Sequence, residues 1–287
     1  IHVLHKENEG PLPTRLKGYS LCRGEYVVSV DADDRLDRQA LSIFRTALQA
    51  EDVDVLVFNY KRVDEAGVKC LSQSDLQNGV YDVSGLEELV CLLLEKKMMN
   101  TVWSKVMQRG LLQSTLQKAS HLMVVHSGDD LILSAPVLLS ARKVRVIHDC
   151  LYVYRTVPQS ITHSSNSSRV DDLILSRTYL LEQLEQADLL TEDVLRCFYR
   201  MIYETAGYLL WNCARSDSAF SEKQAFFEAL TGQPLYQRSL AYRKGVFSSQ
   251  RKRLSLWLFE HKKYRSFVRF EQLQQLAKRQ NGGRGKS

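Results

Sequence analysis

Residues 24–37, GEYVVSVDADDRLD, constrain the fold more than any other stretch of the chain. A short apolar run, Tyr26 to Val30, stops abruptly at Asp31-Ala32-Asp33-Asp34. A buried strand that delivers carboxylates to its carboxyl end has this form, and in open α/β sheets that edge is where ligands bind. Like charges a few Å apart repel one another. A hard divalent cation such as Mg²⁺ or Mn²⁺ relieves that repulsion, bound by one or two carboxylates together with substrate phosphates. Asp31 and Asp33 lie two residues apart, so at a strand end they project to the same side. The purely structural reading is that Asp34 or Asp37 caps a helix running from Leu41 onward.

Around this stretch the pattern is that of an α/β chain. Ile1–Leu4 reads as the end of a short strand and Thr14–Cys22 as a short helix. Asp37–Ala50 has helical periodicity, with Leu41, Phe44, Ala47 and Leu48 on one face. Val53–Val63 is a strand closed by a turn at Asp64–Gly67. Ser84–Met98 reads as a helix opened by a Ser84/Glu87 capping box. Residues 100–109, NTVWSKVMQR, read as another short helix, with Lys105 as a solvated charge. His126–Ala141 puts two carboxylates, Asp129 and Asp130, at a helix start. Val144–Ile147 and Leu151–Tyr154 are short strands. Residues 158–169, rich in Ser, Thr and Asn, form a loop, and the chain from Val170 onward is helical. The expected division is 1–165 for the α/β part and 166–287 for an all-helical region.

Six cysteines show no C-x-x-C pairing, which predicts reduced thiols in a cytoplasmic protein. No apolar run reaches the ~20 residues of a membrane span. Charge is unevenly placed. Residues 238–287 hold 14 Lys and Arg against 2 acidic residues, whereas the rest holds 25 against 31. A basic tail on an acidic body predicts a polyanionic partner. Within that tail Trp257, Leu258, Phe259, Tyr264, Phe267 and Phe270 alternate with Lys and Arg. The pattern suits an anionic membrane surface, with the protein peripheral on the cytoplasmic face. It equally suits a helix packed on the body with a solvated basic face. No RNA-binding signature is present, so nucleic acid is not an expected partner.

Several motifs recur in a fixed order: HKENEG from His5, Arg15 in TRLKG, GEYVVSVDADDRLD, Trp103-Ser104-Lys105, Gly128-Asp129-Asp130, and Tyr152-x-Tyr154-Arg155 followed by Ser160-Ile161. In this order they resemble the family 2 glycosyltransferases, inverting enzymes with the GT-A fold, over about residues 1–164. Three departures stand out. The family's first strands, with the acidic motif for the nucleotide base, precede the point where Ile1 begins. Asp129 replaces a Glu, and Leu16 replaces an Asn.

The resemblance implies a truncated GT-A, Rossmann-like mixed sheet flanked by helices. It implies a nucleotide-sugar donor, a glycan or lipid-linked acceptor, and Mn²⁺ or Mg²⁺ as cofactor. Asp33 would be the direct metal ligand, with Asp31 near the ribose or reaching the metal through water. Arg15, Asp31, Ala32, Asp33, Arg155 and Ser160 would hold the nucleotide sugar. Asp130 would be the general base, assisted by Asp129, and Trp103 with Asp129 would meet the acceptor. Read without the family, Asp129 and Asp130 are helix caps, Trp103 is core, and Arg15 either ties the acidic loop or lies on the surface.

Two other readings compete. Dehalogenase-type phosphatases also place D-x-D after a strand, but Arg35, Leu133 and Ser134 stand where that family needs other residues. A catalytically silent GT-A remnant, acting as a binding or membrane-associated module, fits the same motifs.

Overall fold

In the computed structural model the acidic run leaves the edge of a seven-stranded mixed sheet. The structure describes residues 1–49, 52–64, 67–71, 77–95, 101–116, 119, 122, 125, 128–155 and 168–283. The chain divides into two compact units. The first comprises Ile1–Ser160 with Leu175–Val194, and the second Ile161–Ile174 with Leu195–Ser287.

In the first unit, β1 (Tyr26–Val28) pairs antiparallel with β6 (Lys105–Gln108), and β6 pairs antiparallel with β3 (Val55–Asp64). Strand β3 runs parallel to β7 (Lys143–Arg155), and β7 pairs antiparallel with β2 (Arg35–Leu36). Two outer pieces, β4 (Gly67–Leu71) and β5 (Gly79–Asp82), pair with β3 and β7. One face is covered by α2 (Ala40–Gln49). Its Ala40, Phe44 and Ala47 pack with Leu56, Phe58, Trp103, Val106, Leu151 and Tyr152.

The mixed α/β architecture matches expectation, and several local readings do not. Residues 1–10 form no strand, and among the described residues no strand pairs with them. Leu41 is 69% exposed and belongs to the outer face of α2. The WSK segment is not a helix. Its Lys-Val-Met-Gln becomes β6, held between β1 and β3. The two expected short strands after residue 143 are one long β7, with register shifts against β3 at Asn59. Helix α3 (Leu86–Glu95) starts after a 3-10 turn, and Glu87 accepts a hydrogen bond from Thr191 Oγ1 at 2.6 Å instead of reaching back to Ser84. The disposition of residues 156–167 lies outside the described residues.

Cysteines also differ from the all-reduced expectation. Cys22 and Cys213 are free thiols, but Cys150 on β7 is disulfide-bonded.

The second unit is helical: the start of α6 (Ser168–Gln186), most of α7 (Glu192–Arg215), then α8 (Phe220–Thr231), α9 (Pro234–Ser239), α10 (Gln250–Glu260) and α11 (Tyr264–Gly283). Its core gathers Trp211, Phe226, Phe227, Leu256, Phe259 and Phe267. The aromatic residues of the basic tail therefore split. Phe259 and Phe267 point inward, and Trp257 stays half exposed. Those two phenylalanine rings are taken up by the helical unit's own core. Among the described residues no helix is long and apolar enough to cross a membrane.

Candidate active site

Helix α1 (Pro11–Leu21) brings the first functional side chain. Pro11 sits at its first position, where the missing N–H costs nothing. Leu12, Leu16 and Tyr19 recur on one face and are buried. Leu16 thus fills core where the family has Asn. Arg15 points the other way, toward two carboxylate clusters.

The second cluster is presented by α5 (Asp129–Ser140). Every residue from Leu131 to Leu139 is buried, so this helix is fixed by packing along its whole length. Gly128 precedes it with φ +100, a left-handed conformation that L side chains rarely adopt. A Cβ there would meet Ser176 Oγ at 2.9 Å and Arg177 Nη1 at 3.0 Å. Only glycine fits that turn, and the turn aims Asp129 and Asp130 at Arg15.

The two clusters meet on one guanidinium. Arg15 Nη2 lies 2.8 Å from Asp31 Oδ1 and 3.5 Å from Asp130 Oδ1, and Arg15 Nε donates to Asp129 Oδ2 at 3.1 Å. Burial works against the charge of Arg15, but Asp130, Asp31 and Asp129 outweigh it and hold the group protonated more firmly than usual. The carboxylates respond in the other direction. Burial, then the charge of Asp129, pushes the Asp130 carboxyl well above the ordinary range, with Arg15 opposing. Burial raises Asp129 too, again against Arg15. Asp130 Oδ1 is within ion-pair reach of Arg15 yet makes no hydrogen bond. It is a buried acceptor without a hydrogen-bond donor among the described residues.

The first cluster is organised by a motif residue to which the sequence assigns no site role. Tyr152 on β7 donates its hydroxyl to Asp34 Oδ2 at 2.9 Å and accepts from the Asp31 N–H at 3.0 Å. The Arg155 N–H adds a bond to Asp34 Oδ1 at 2.8 Å. Asp34 is therefore a structural anchor. Burial raises its pKa and these two donors oppose that rise. Arg155 Nε reaches the Asp33 carbonyl, so Arg155 ties down the turn from an exposed position. Asp33 and Ala32 are exposed at the turn's tip. Ser160 lies outside the described residues.

Trp103 is buried, stacked on Tyr152 with centroids 4.7 Å apart and edge-on to Tyr60 at 4.9 Å. Trp103 thus backs Tyr152 from the core. Lys105, expected as a solvated charge, is fully buried. Its Nζ donates to the Thr101 carbonyl, and burial pulls its pKa down to about 7 while Asp130 opposes that fall. The Y-x-Y-R and W-S-K motifs are the sequence signals that hold Tyr152 and Lys105.

Among the described residues no three Asp, Glu, His or Cys side chains converge as a ready-made metal site. The donor set fits one mode only: a hard cation held by one or two carboxylates, with a bound diphosphate supplying further oxygens. Asp33 suits that mode, being exposed, with Asp31 beside it already paired to Arg15.

Residues 1–113 match the sequence family Glycosyl transferase family 2. The glycosyltransferase GlyG of Streptococcus pneumoniae is 26% identical over 162 residues, 56% of this chain and 54% of GlyG. EpsH of Bacillus subtilis is 26% identical over 160 residues, 55% of this chain and 45% of EpsH. The chain thus spans about half the length of these curated relatives. A cholesterol galactosyltransferase of Borreliella burgdorferi is 21% identical over 295 residues, covering 94% of this chain and 80% of that one. Among solved structures, S. aureus TarS residues 1–349 superpose with a TM-score of 0.60 at 15% identity, covering 96% of this chain and 73% of that chain. The same protein solved with UDP-GlcNAc gives 0.58 at 17% identity, with 96% and 74% coverage. The chain is thus similar to the family 2 glycosyltransferases over residues 1–113, and it shares the GT-A fold of the TarS structures.

Proposed function

We propose that this chain transfers a sugar, with inversion, from a nucleoside diphosphate sugar to a hydroxyl of a glycan or lipid-linked acceptor. One observation carries the reading. Asp31, from the end of β1, and Asp130, from the start of α5, share a single nitrogen of Arg15. The carboxylates suited to a metal-bound diphosphate and the carboxylate suited to a base therefore line one site. That a TarS structure holds UDP-GlcNAc makes UDP-GlcNAc the first donor to try.

Inverting transfer is a displacement at the anomeric carbon. The acceptor oxygen bonds to that carbon as the bond to the diphosphate oxygen breaks, and the diphosphate leaves with the electron pair. Asp130 takes the acceptor proton. Its carboxyl is raised by burial, which brings its proton affinity nearer that needed of a base at neutral pH. Arg15 keeps Asp130 oriented and Asp129 assists from the same helix end. Asp33, with Asp31, would hold Mn²⁺ or Mg²⁺, which when bound supplies positive charge to the departing oxygens. Tyr152 and Arg155 hold the turn that presents Asp33.

Two measurements test this. UDP is expected to raise the melting temperature only when Mn²⁺ is present, and Asp33→Ala to abolish that shift. Asp130→Asn is expected to lower transfer about a thousandfold, within the span assigned to general-base removal, while the UDP shift stays. Transfer unaffected by Asp130→Asn defeats the base assignment. A metal-dependent UDP shift with no transfer to any acceptor supports the silent-module alternative.

A further inference from the structure

The helical unit contains a cavity of about 530 Å³ that the transfer reading leaves unused. Its walls come from Tyr203 on α7, the turn 241–247 and α10. The floor is apolar: Phe247, Leu256 and the ring of Tyr203 are all buried. The rim is cationic. Arg243, Lys244, Arg253 and His261 surround it, with one carboxylate, Glu260. That carboxylate is already engaged. It accepts from the Tyr203 hydroxyl at 2.7 Å and faces Arg243 Nε at 3.6 Å. Among the described residues neither Lys244 nor Arg253 is paired with a carboxylate. Trp257 closes one side, its indole 4.4 Å from the His261 ring and 4.7 Å from Lys263 Nζ.

The turn carrying two of these cations is built, not loose. Arg200 Nη1 donates to the Lys244 carbonyl at 2.9 Å, and Gly245 takes φ +79 so that the chain folds back to bury Phe247.

Three fixed cations against one carboxylate leave two positive charges uncompensated at a concave, apolar-floored wall. A phosphate monoester carries a charge of about −1.5 to −2 near neutral pH, which meets that imbalance. A monocarboxylate supplies half as much. Arginine's planar fork also matches the several oxygens of a phosphate. The volume lies within the range usual for small-molecule sites, about 300–1,000 Å³. A membrane surface fits less well, because a flat interfacial face needs outward rings and Phe259 and Phe267 are turned in.

We propose that this cavity binds an organic phosphate monoester, its phosphate on Arg243, Lys244 and Arg253 and its organic part against Phe247 and Trp257. The cavity shares no residue with the site proposed for transfer, and neither reading depends on the other.

Calorimetric titration of the full chain with phenyl phosphate, in saturating UDP and Mn²⁺ to occupy the donor site, tests it. The expected result is one saturable site, with phenyl phosphate bound more tightly than inorganic phosphate and phenol not bound. Arg253→Gln is expected to weaken binding at least about tenfold, as befits a charge-assisted contact. Arg253 is exposed and, among the described residues, in no ion pair, so this variant keeps the fold, which an unchanged melting temperature checks. Three outcomes overturn the proposal: no saturable binding, binding that Arg253→Gln leaves intact, or inorganic phosphate bound as tightly as phenyl phosphate. Sedimentation with phosphatidic acid vesicles, without binding of the soluble ester, overturns it in favour of a membrane surface.

Discussion

The site around Arg15 and the cavity beside Trp257 carry opposite charge imbalances, and they hold them differently. In the first, three carboxylates crowd one guanidinium, all largely withdrawn from water. In the second, cations stand at an open rim with one engaged carboxylate. Water screens the second imbalance and barely screens the first. The acidic cluster therefore acts on the chain's own stability and titration. The basic cavity acts on what comes to it. The same distinction separates residues that must be paired for the protein to fold from residues free to wait for a ligand.

Arg15→Met attacks that contrast most directly. It leaves Asp31, Asp129 and Asp130 without their shared cation, and removing one partner of a buried charge network costs about 3–5 kcal/mol. At about 2–4 °C per kcal/mol for a chain of this size, the melting temperature should fall by roughly 10 °C. Thermal unfolding followed by circular dichroism measures it. A fall of less than about 2 °C, the equivalent of a single kcal/mol or under, means that the carboxylates do not depend on Arg15, and the contrast between the two regions goes.

Tyr152→Phe has a smaller expected effect and sharpens the same point. Only the hydroxyl is lost, so packing against Trp103 stays. Two hydrogen bonds go, one of them to the Asp34 carboxylate, worth about 1.5–3 kcal/mol. The melting temperature should drop by a few degrees. The metal-dependent UDP shift should shrink as well, because the turn presenting Asp33 loosens. A drop in stability with the UDP shift intact makes Tyr152 a core residue only.

The regions also differ in how legible they are in the sequence. Periodicity places α2, because its Phe44 and Ala47 recur on the buried face. It fails for β6, four residues whose strand state is imposed by β1 and β3 on either side. No local pattern announces such pairing. The acids of the site are readable as types, since a run of Asp after an apolar strand has few explanations. Their convergence on Arg15 is not, because it depends on α1 and α5 packing together. Lys105 departs furthest from expectation, because a lysine's burial is a property of the whole fold. Tyr152 is hidden inside a strand motif that reads equally well as core. In the tail, alternating rings and charges fit two partners, and only burial shows which rings point inward.

Titration gives the effect most specific to the acidic cluster. Burial and Asp129 raise the Asp130 carboxyl in the folded chain, so between the ordinary carboxylate range and that raised value the native state holds a proton the unfolded state has lost. Stability contributed by this group is complete below the unfolded pKa and falls as pH rises through the folded one. Asp130→Asn removes the titration. The difference in unfolding free energy between variant and parent should therefore move in the variant's favour as pH rises, by about 1.4 kcal/mol for every pH unit that separates the unfolded value from the folded one. Transfer by the parent should rise over the same interval, since the base must be ionised to accept a proton. The two profiles share one group and run in opposite directions, with activity gained where stability is lost. If denaturant titrations of parent and variant stay parallel from pH 4 to pH 8, the carboxylate titrates as it would in water. The buried imbalance at Arg15 then has no more hold on the chain than the open one at Trp257.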